Sequence, residues 1–339
     1  MKPHQVTIKD IARELGISPS TVSRALKDHP DISAETKKQV HELVEKLNYR
    51  PNPIALSLRG QKTRIMGVIV PEMVHHFFSS VISGIEEEAI EAGYNVMIFQ
   101  SNELYDREVL NTQSLISSRV DGVMVSISKT TMKFAHIREI LDNDIPVVFF
   151  DRAPEDIQTD KVVVDDFTGA MEAVEYLIRS GCRRIAHFAA PQHLQIGYQR
   201  KRGYISALEK NGMKVNDDLI IKCDTHDEAL EKTPALMNMP EPPDAIFAVN
   251  DLTATGVLKV LRKMGKRVPE DVSVIGFTDG LVATVTDPPL SSVSQHGFEM
   301  GRKAARILLQ RIENGIDLKH PITDVIKTDL VLRESTRKI

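Results

Sequence analysis

The feature that most restricts the fold of this 339-residue chain is a series of seven short apolar runs along everything after residue 65. They read GVIVP (67–71), YNVMIF (94–99), DGVMVS (121–126), PVVFFD (146–151), RIAHFAA (184–190), DAIFAVN (244–250) and VSVIGF (272–277). Each is rich in β-branched residues and shorter than an ordinary helix, so each predicts a buried strand. Between most of them lie stretches of helical period such as FSSVISGIEEEAIEAG and TGAMEAVEYLIRSG. Alternating strand and helix predicts parallel sheets covered on both faces. The series continues past Asp151, which predicts two doubly wound halves. Ligands of such sheets sit outside the carboxyl ends of the strands, and between two facing halves that place is a cleft.

The first fifty residues follow a different rule. Thr7 is placed to cap a helix, and Ile8, Ile11, Ala12 and Leu15 fall on one of its faces. Gly16 suits the left-handed position that ends it. Ser18 then caps a second helix running to about Lys27, with Pro19 at the first position, where a missing N–H costs nothing. Ser33 caps a third, whose Val40, Leu43, Val44 and Leu47 close a small core. Two short helices joined by a glycine turn and braced by a third make either a plain helical hairpin or a helix-turn-helix unit. In the second case Pro19, Ser20, Thr21, Ser23 and Arg24 face outward. Arg24 is then suited to donate two bonds to guanine, worth about 1–3 kcal/mol of discrimination.

Charge points the same way. Through Arg64 there are 12 basic and 7 acidic residues, a net of +5, while the remainder carries -9. A basic head on an acidic body predicts a head that faces nucleic acid. No apolar run approaches the roughly 20 residues of a spanning helix, so no membrane partner is expected. The opening MKPHQVTIKDIA has no apolar signal core, and two lone cysteines, Cys182 and Cys223, make neither a disulfide framework nor a zinc pattern. A cytoplasmic protein is expected. Nucleotide-binding glycine motifs and nucleophile–base pairs are missing, so no enzyme activity, cofactor, catalytic residue or metal is predicted.

Residues 51–61 carry another cap and first-position pair, Asn52 and Pro53, with Gly60 as a stop. So short a helix is marginal alone. Its Ile54, Ala55, Leu56 and Leu58 are too apolar for a solvated linker, so the segment either packs on the body or folds when something binds.

The string VTIKDIARELGISPSTVSRALKDHPDISAETKKQVHELVEKLNYRPNPIALSLRG resembles the headpiece and hinge of the LacI/GalR family of bacterial transcription regulators, and the likeness runs on to LVLRESTRKI at the end of the chain. The resemblance implies an α/β protein in three parts. An all-α helix-turn-helix headpiece spans 1–50, a hinge helix 51–61, and a two-lobed, periplasmic-binding-protein-like core 62–339. It implies a DNA-binding regulator acting as a homodimer on double-stranded DNA with an inverted-repeat operator. A small-molecule effector, a sugar or sugar derivative, would bind between the lobes. The hinge leucine that wedges the central base step is Leu58 by position, with Ala55 beside it. The two positions opening the recognition helix often carry larger base-reading side chains. Here they are Pro19 and Ser20, which leaves more of the readout to Arg24. Thr7, Ser18, Thr21 and Asn52 are expected to cap helices and touch phosphates, positioning the head without specifying sequence.

In the core, the loops after the apolar runs supply the effector candidates. His75, His76, Phe77 and Phe78 would form an aromatic wall; Asp151, Arg152 and Asp165 follow two further strands; Asn250 and Asp251 follow IFAV; Asp279 lies beyond IGF. Arg200, in YQRKRGY, matches the family arginine that holds effector oxygens. Plainer roles stand beside these: core packing for a phenylalanine, loop surface for the histidines, helix capping for Asp165 and Asp251, an ion pair for Arg200. One departure is evident. The family commonly reads Gly-Tyr-Asp-Asp or Gly-Tyr-Asp-Asn where this chain has Gly276-Phe277-Thr278-Asp279. The loss of the first acid, with Arg and Lys at 200–202, leaves room for an acidic or phosphorylated ligand.

Overall fold

The computed structural model describes residues 6–47, 49 and 62–339. The hinge expectations, including Asn52, Ala55 and Leu58, lie outside the described residues. Contacts divide the chain into two units, Met1–Thr63 and Arg64–Ile339.

The first unit contains α1 (Ile8–Glu14), α2 (Pro19–Ala25) and α3 (Ala34–Lys46). Local polar groups set where each begins. The Asp10 carboxylate accepts from both the amide and the hydroxyl of Thr7, at 2.9 and 2.7 Å. Ser18 Oγ accepts from the Thr21 amide at 3.0 Å, and Ser33 Oγ from the Thr36 amide at 3.2 Å. Each bond satisfies a donor that the helix start would otherwise leave open. Gly16 takes φ +66° between the first two helices. Helix α2 stops at Ala25, two residues before the expected end, and Asp28 then turns the chain at φ +52°. Ile11, Val22, Ala25 and Val40 are completely buried in the small core.

The second unit holds two six-stranded sheets. The first is built from β1 (Ile65–Val70), β2 (Asn95–Gln100), β3 (Gly122–Val125), β4 (Val147–Phe150), β5 (Asp160–Val164) and β11 (Thr323–Ile326), in the order β11-β5-β4-β3-β1-β2, all parallel. The second contains β6 (Ile185–Ala189), β7 (Ile220–Lys222), β8 (Ala245–Ala248), β9 (Ser273–Thr278), β10 (Ser291–Ser294) and β12 (Asp329–Val331), in the order β12-β10-β9-β8-β6-β7. Only β12 runs antiparallel, against β10. Every residue of β3, β4, β6 and β8 is buried, as befits parallel strands covered on both faces. The chain passes between the sheets three times, after β5, after β10 and between β11 and β12.

The first lobe is covered by α4 (His76–Glu91), α5 (Tyr105–Ser117), α6 (Ala135–Asp142) and, after the second crossing, α12 (Gly297–Asn314). Helices α4 and α12 touch backbone to backbone. A Cβ added at Gly84 would lie 2.1 Å from the Phe298 carbonyl oxygen, and one at Gly301 2.0 Å from that of Val81. Glu88 of α4 seals this contact, bonded by Arg302 at 2.6 Å and Arg306 at 2.9 Å. The first turn of α4 is thereby held at the carboxyl edge of its sheet. The second lobe is covered by α7 (Asp166–Arg179), α8 (Gln195–Lys210), α9 (His226–Met237), α10 (Asp251–Lys263) and the short α11 (Leu281–Val285). Among the described residues no helix is long and apolar enough to cross a membrane.

Candidate effector cleft and DNA-facing helix

A cavity of about 180 Å³ opens between the two lobes, lined by loops that follow the strands of both sheets. On the first lobe Phe77 and Phe78 meet edge to face at 5.2 Å and are buried, so they serve the core and the cavity wall together. His76 lines the cavity beside them, and His75 leans on Glu72 at 2.6 Å. Asp151, buried at the end of β4 with φ +59°, accepts a long 3.4 Å bond from Ser126 and lies 3.8 Å from Arg152 Nε. Burial pushes its carboxyl above the usual range, against the pull of Arg152. Arg152 itself is held by both oxygens of Glu103, at 2.8 and 2.9 Å.

On the second lobe Arg200 is almost fully buried. Its Nε donates to Asp166 at 2.7 Å, its Nη1 donates to the Val249 carbonyl at 2.6 Å, and its guanidinium lies 3.7 Å from the centre of the Phe277 ring. Nη2 is buried with no hydrogen-bond partner among the described residues. Burial raises the Asp166 carboxyl to about 6 in spite of the arginine. Asn250 caps α10 through the Thr253 amide at 2.8 Å and donates to the Asp224 carbonyl at 2.9 Å. Asp251 accepts from Ser292 Oγ at 2.5 Å and from the Gly280 amide at 2.9 Å. Burial lifts it to about 6 as well. A Cβ at Gly276 would lie 2.4 Å from that carboxylate, so the glycine leaves the acid its place.

Of the nine sequence-derived candidates, His76, Phe77, Phe78, Asp151, Arg200, Asn250 and Asp251 line this cavity; Asp165 and Asp279 do not. Asp165 caps α7 through the Thr168 amide at 3.0 Å and faces a different depression. The Asp279 carboxylate pairs with Arg333 at 2.7 Å and lines an adjoining depression beside His76 and Phe77. Its neighbour Thr278 reaches the cavity instead, bonded to Gln295 at 3.0 Å. The capping role imagined for Asp251 belongs to Asn250. The run 200–202 supplies one cation to the cavity rather than three, because Arg202 lies over Phe167 and Tyr198. The argument for an acidic ligand loses its basis there.

Glu103, Lys129, Asp224 and Gln295 also line the cavity and were not anticipated. Lys129 Nζ lies 2.6 Å from Asp224 Oδ2, which ties the lobes together across the cleft. His193 Nε2 reaches the Lys129 carbonyl at 2.7 Å, and Gln195 bonds Glu155 at 2.5 Å. The loop bearing Lys129 is itself fixed from behind by buried Glu108. That carboxylate accepts from the Ser128 amide (2.6 Å), Ser128 Oγ (2.7 Å) and Thr131 Oγ1 (3.0 Å), and pairs with His136 at 2.8 Å. Among the described residues no group of three or more His, Cys, Asp or Glu is arranged to hold a metal.

In the first unit, Thr7, Ser18, Pro19, Ser20 and Arg24 are exposed, and Thr21 and Ser23 are half-buried. Ser18 Oγ is shared with Ser20 at 2.7 Å and Thr21 at 2.8 Å.

Residues 7–52 match the model for bacterial regulatory proteins of the lacI family, and residues 174–336 match a periplasmic binding protein-like domain. The chain is 34% identical over 314 residues to the HTH-type transcriptional repressor PurR of Vibrio atlanticus, covering 91% of this chain and 92% of that protein. The chain belongs to the lacI family. A lacI-family protein is a transcriptional regulator, not an enzyme, and its two parts divide DNA binding from effector binding. Among solved structures, the transcriptional regulator CelR in complex with cellobiose matches with a TM-score of 0.73 at 30% identity, over 97% of this chain and 99% of that one. The lac repressor dimer bound to operator and the anti-inducer ONPF matches the lacI-family fold at TM-score 0.85 and 23% identity, over 98% and 99%.

Proposed function

We propose that this chain is a cytoplasmic homodimeric repressor that reads an inverted-repeat operator and changes its affinity for it when a sugar or sugar derivative binds between the lobes. The observation that carries this reading is the cavity between the lobes, walled by Phe77 and Phe78 and lined by the buried charged side chains of Arg200 and Asp151. An aromatic wall suits the apolar face of a sugar ring, and Arg200 with Asp151 offers a donor and an acceptor to its hydroxyls. In the head, the exposed α2 residues Pro19, Ser20 and Arg24 form the surface that enters the major groove. Ser23 flanks that surface, while Thr7, Ser18 and Thr21 lie where phosphates would run. Asn52, Ala55 and Leu58 complete the interface in the minor groove, where a leucine wedge exchanges unstacking for wider contact. The related PurR is a repressor and CelR is seen with cellobiose; both support the reading.

Selection of the full-length protein on a random duplex pool at moderate salt tests it. Enrichment of an inverted repeat is expected, with binding that weakens steeply as salt rises. Sugars added to the operator complex should then change its affinity by about 5- to 150-fold. Folded protein that enriches no sequence, with or without sugars present, would sink the proposal.

A further inference from the structure

The charges around the cleft carry an inference about which effectors it rejects, and it rests on the effector-site reading above. Three cations line the cavity, and each already has a carboxylate: Lys129 has Asp224 at 2.6 Å, Arg152 has Glu103 at 2.8 Å, and Arg200 has Asp166 at 2.7 Å. Asp151, 3.8 Å from the already paired Arg152, and Asp251 add two further lining carboxylates. An anionic ligand would have to pull a cation from its partner and meet those acids. A neutral hydroxylated molecule needs no such exchange, and the Asp151 carboxylate offers its hydroxyls an acceptor.

We propose that Glu103 and Asp224 are the charge-selecting residues of the cleft: by occupying Arg152 and Lys129 they exclude effectors bearing phosphate or carboxylate and leave the site to neutral hydroxylated ones. Glu103 also accepts from the Lys129 amide at 2.7 Å, so it holds the loop bearing Lys129 as well as Arg152. Both carboxylates are partly accessible and sit on loops rather than in a sheet or helix. They act through the lysine and arginine they hold, at the cavity wall and at its bridged mouth.

The test uses full-length protein, as wild type, Glu103→Gln, Asp224→Asn and the double variant. Each is titrated with inorganic phosphate and with glucose 6-phosphate at constant ionic strength, following thermal stability and heat of binding. Wild type should show no saturable binding of either. The double variant, with both cations released, should bind at least one of them about tenfold tighter or more, and adding Arg152→Gln together with Lys129→Gln should remove the gain. Saturable binding of either anion to the wild type, lost with Arg200→Lys, would overturn the proposal. Variants that fold, judged by a cooperative melt, yet gain no anion binding would overturn it too. If Glu103→Gln does not fold, Asp224→Asn alone decides, since it frees Lys129 at the mouth. Operator binding is measured on the same wild-type sample, so failure of the regulator reading registers separately from failure of the charge selection.

Discussion

Arg200 Nε stands 2.7 Å from Asp166 Oδ1, and the two side chains are 3% and 6% exposed. They come from α8 and from the first residue of α7, so the pair locks two helices of the second lobe while its arginine faces the cleft. Removing one member of a buried pair strands the other, at a cost of about 3–5 kcal/mol. Arg200→Ala should therefore destabilise the core by about 3 kcal/mol, since Asp166, already lifted to about 6, can shed part of the penalty by taking a proton. Any sugar response should vanish while operator affinity in the absence of sugar persists. Denaturant unfolding and a gel-shift titration check both halves; loss of sugar response without loss of stability would mean that the ion pair is dispensable.

Asp251 makes the pH dependence of the core testable. Burial raises its pKa in the folded protein to about 6, above the usual carboxylate value of 3.8. A raised carboxyl adds stability below the unfolded value and loses it as pH rises through the folded one. Between pH 7 and 5 the folded group gains most of its proton while the unfolded group stays ionised, a swing of about 1.4 kcal/mol in favour of folding on acidification. Buried His187, lowered to about 4, works in the opposite direction over part of the same range. The informative quantity is thus a difference. Asp251→Asn should gain less stability than wild type, by about 1.4 kcal/mol, on going from pH 7 to 5. Parallel unfolding curves at the two pH values would contradict the burial argument.

Much of the fold is legible in the sequence. The seven apolar runs all became strands, because a parallel strand buried on both faces must be apolar nearly throughout; β2, at the edge of its sheet and half-buried, is the exception to that burial. The caps at Ser18 and Ser33 were readable because they depend on residues three apart. Site residues were legible where a strong run preceded them, as with Asp151 and Asn250. Lys129 and Glu103 follow strands just as directly, yet no run-end acid or arginine drew attention to their loops. Asp224 was hidden further, since β7 is three residues long and half exposed. Asp279 misled for a different reason: Arg333, 54 residues away, decides where its carboxylate points, and no local pattern reports that partner.

The contact of α4 with α12 predicts a failure of additivity. At Gly84 and Gly301 an added methyl meets backbone oxygens at 2.1 and 2.0 Å, which no side-chain rotation relieves. Either Gly→Ala change should force the helices apart and cost about 1–3 kcal/mol, the range of overpacking. Once parted by the first methyl, the helices have room for the second, so Gly84→Ala with Gly301→Ala should cost clearly less than the sum of the singles. Because α4 also carries Phe77 and Phe78 to the cavity, each single variant should weaken the sugar response as well. A double-mutant cycle in denaturant measures the coupling; strict additivity would show that the two glycines relax independently.

Gly16 gives the opposite case, a glycine whose side-chain space is empty. Nothing lies within 4 Å of a Cβ built there, yet its φ is +66°. The cost of Gly16→Ala is thus one of backbone conformation alone, about 1–2 kcal/mol. Gly16→Asn should cost less, because asparagine tolerates the left-handed region, and Gly16→Val should cost most, because its branched Cβ crowds the carbonyl further. In a unit whose buried apolar core is Ile11, Ala12, Val22, Ala25, Val40 and Leu43, such an increment is a large share of the stability. Hydrogen exchange on the full-length variants should speed up in α1 and α2 in the order Asn, Ala, Val, with operator affinity falling in the same order. Exchange in α12 should not change, since it belongs to the other unit. An alanine variant as protected as wild type would place the turn's conformational demand elsewhere than at Gly16.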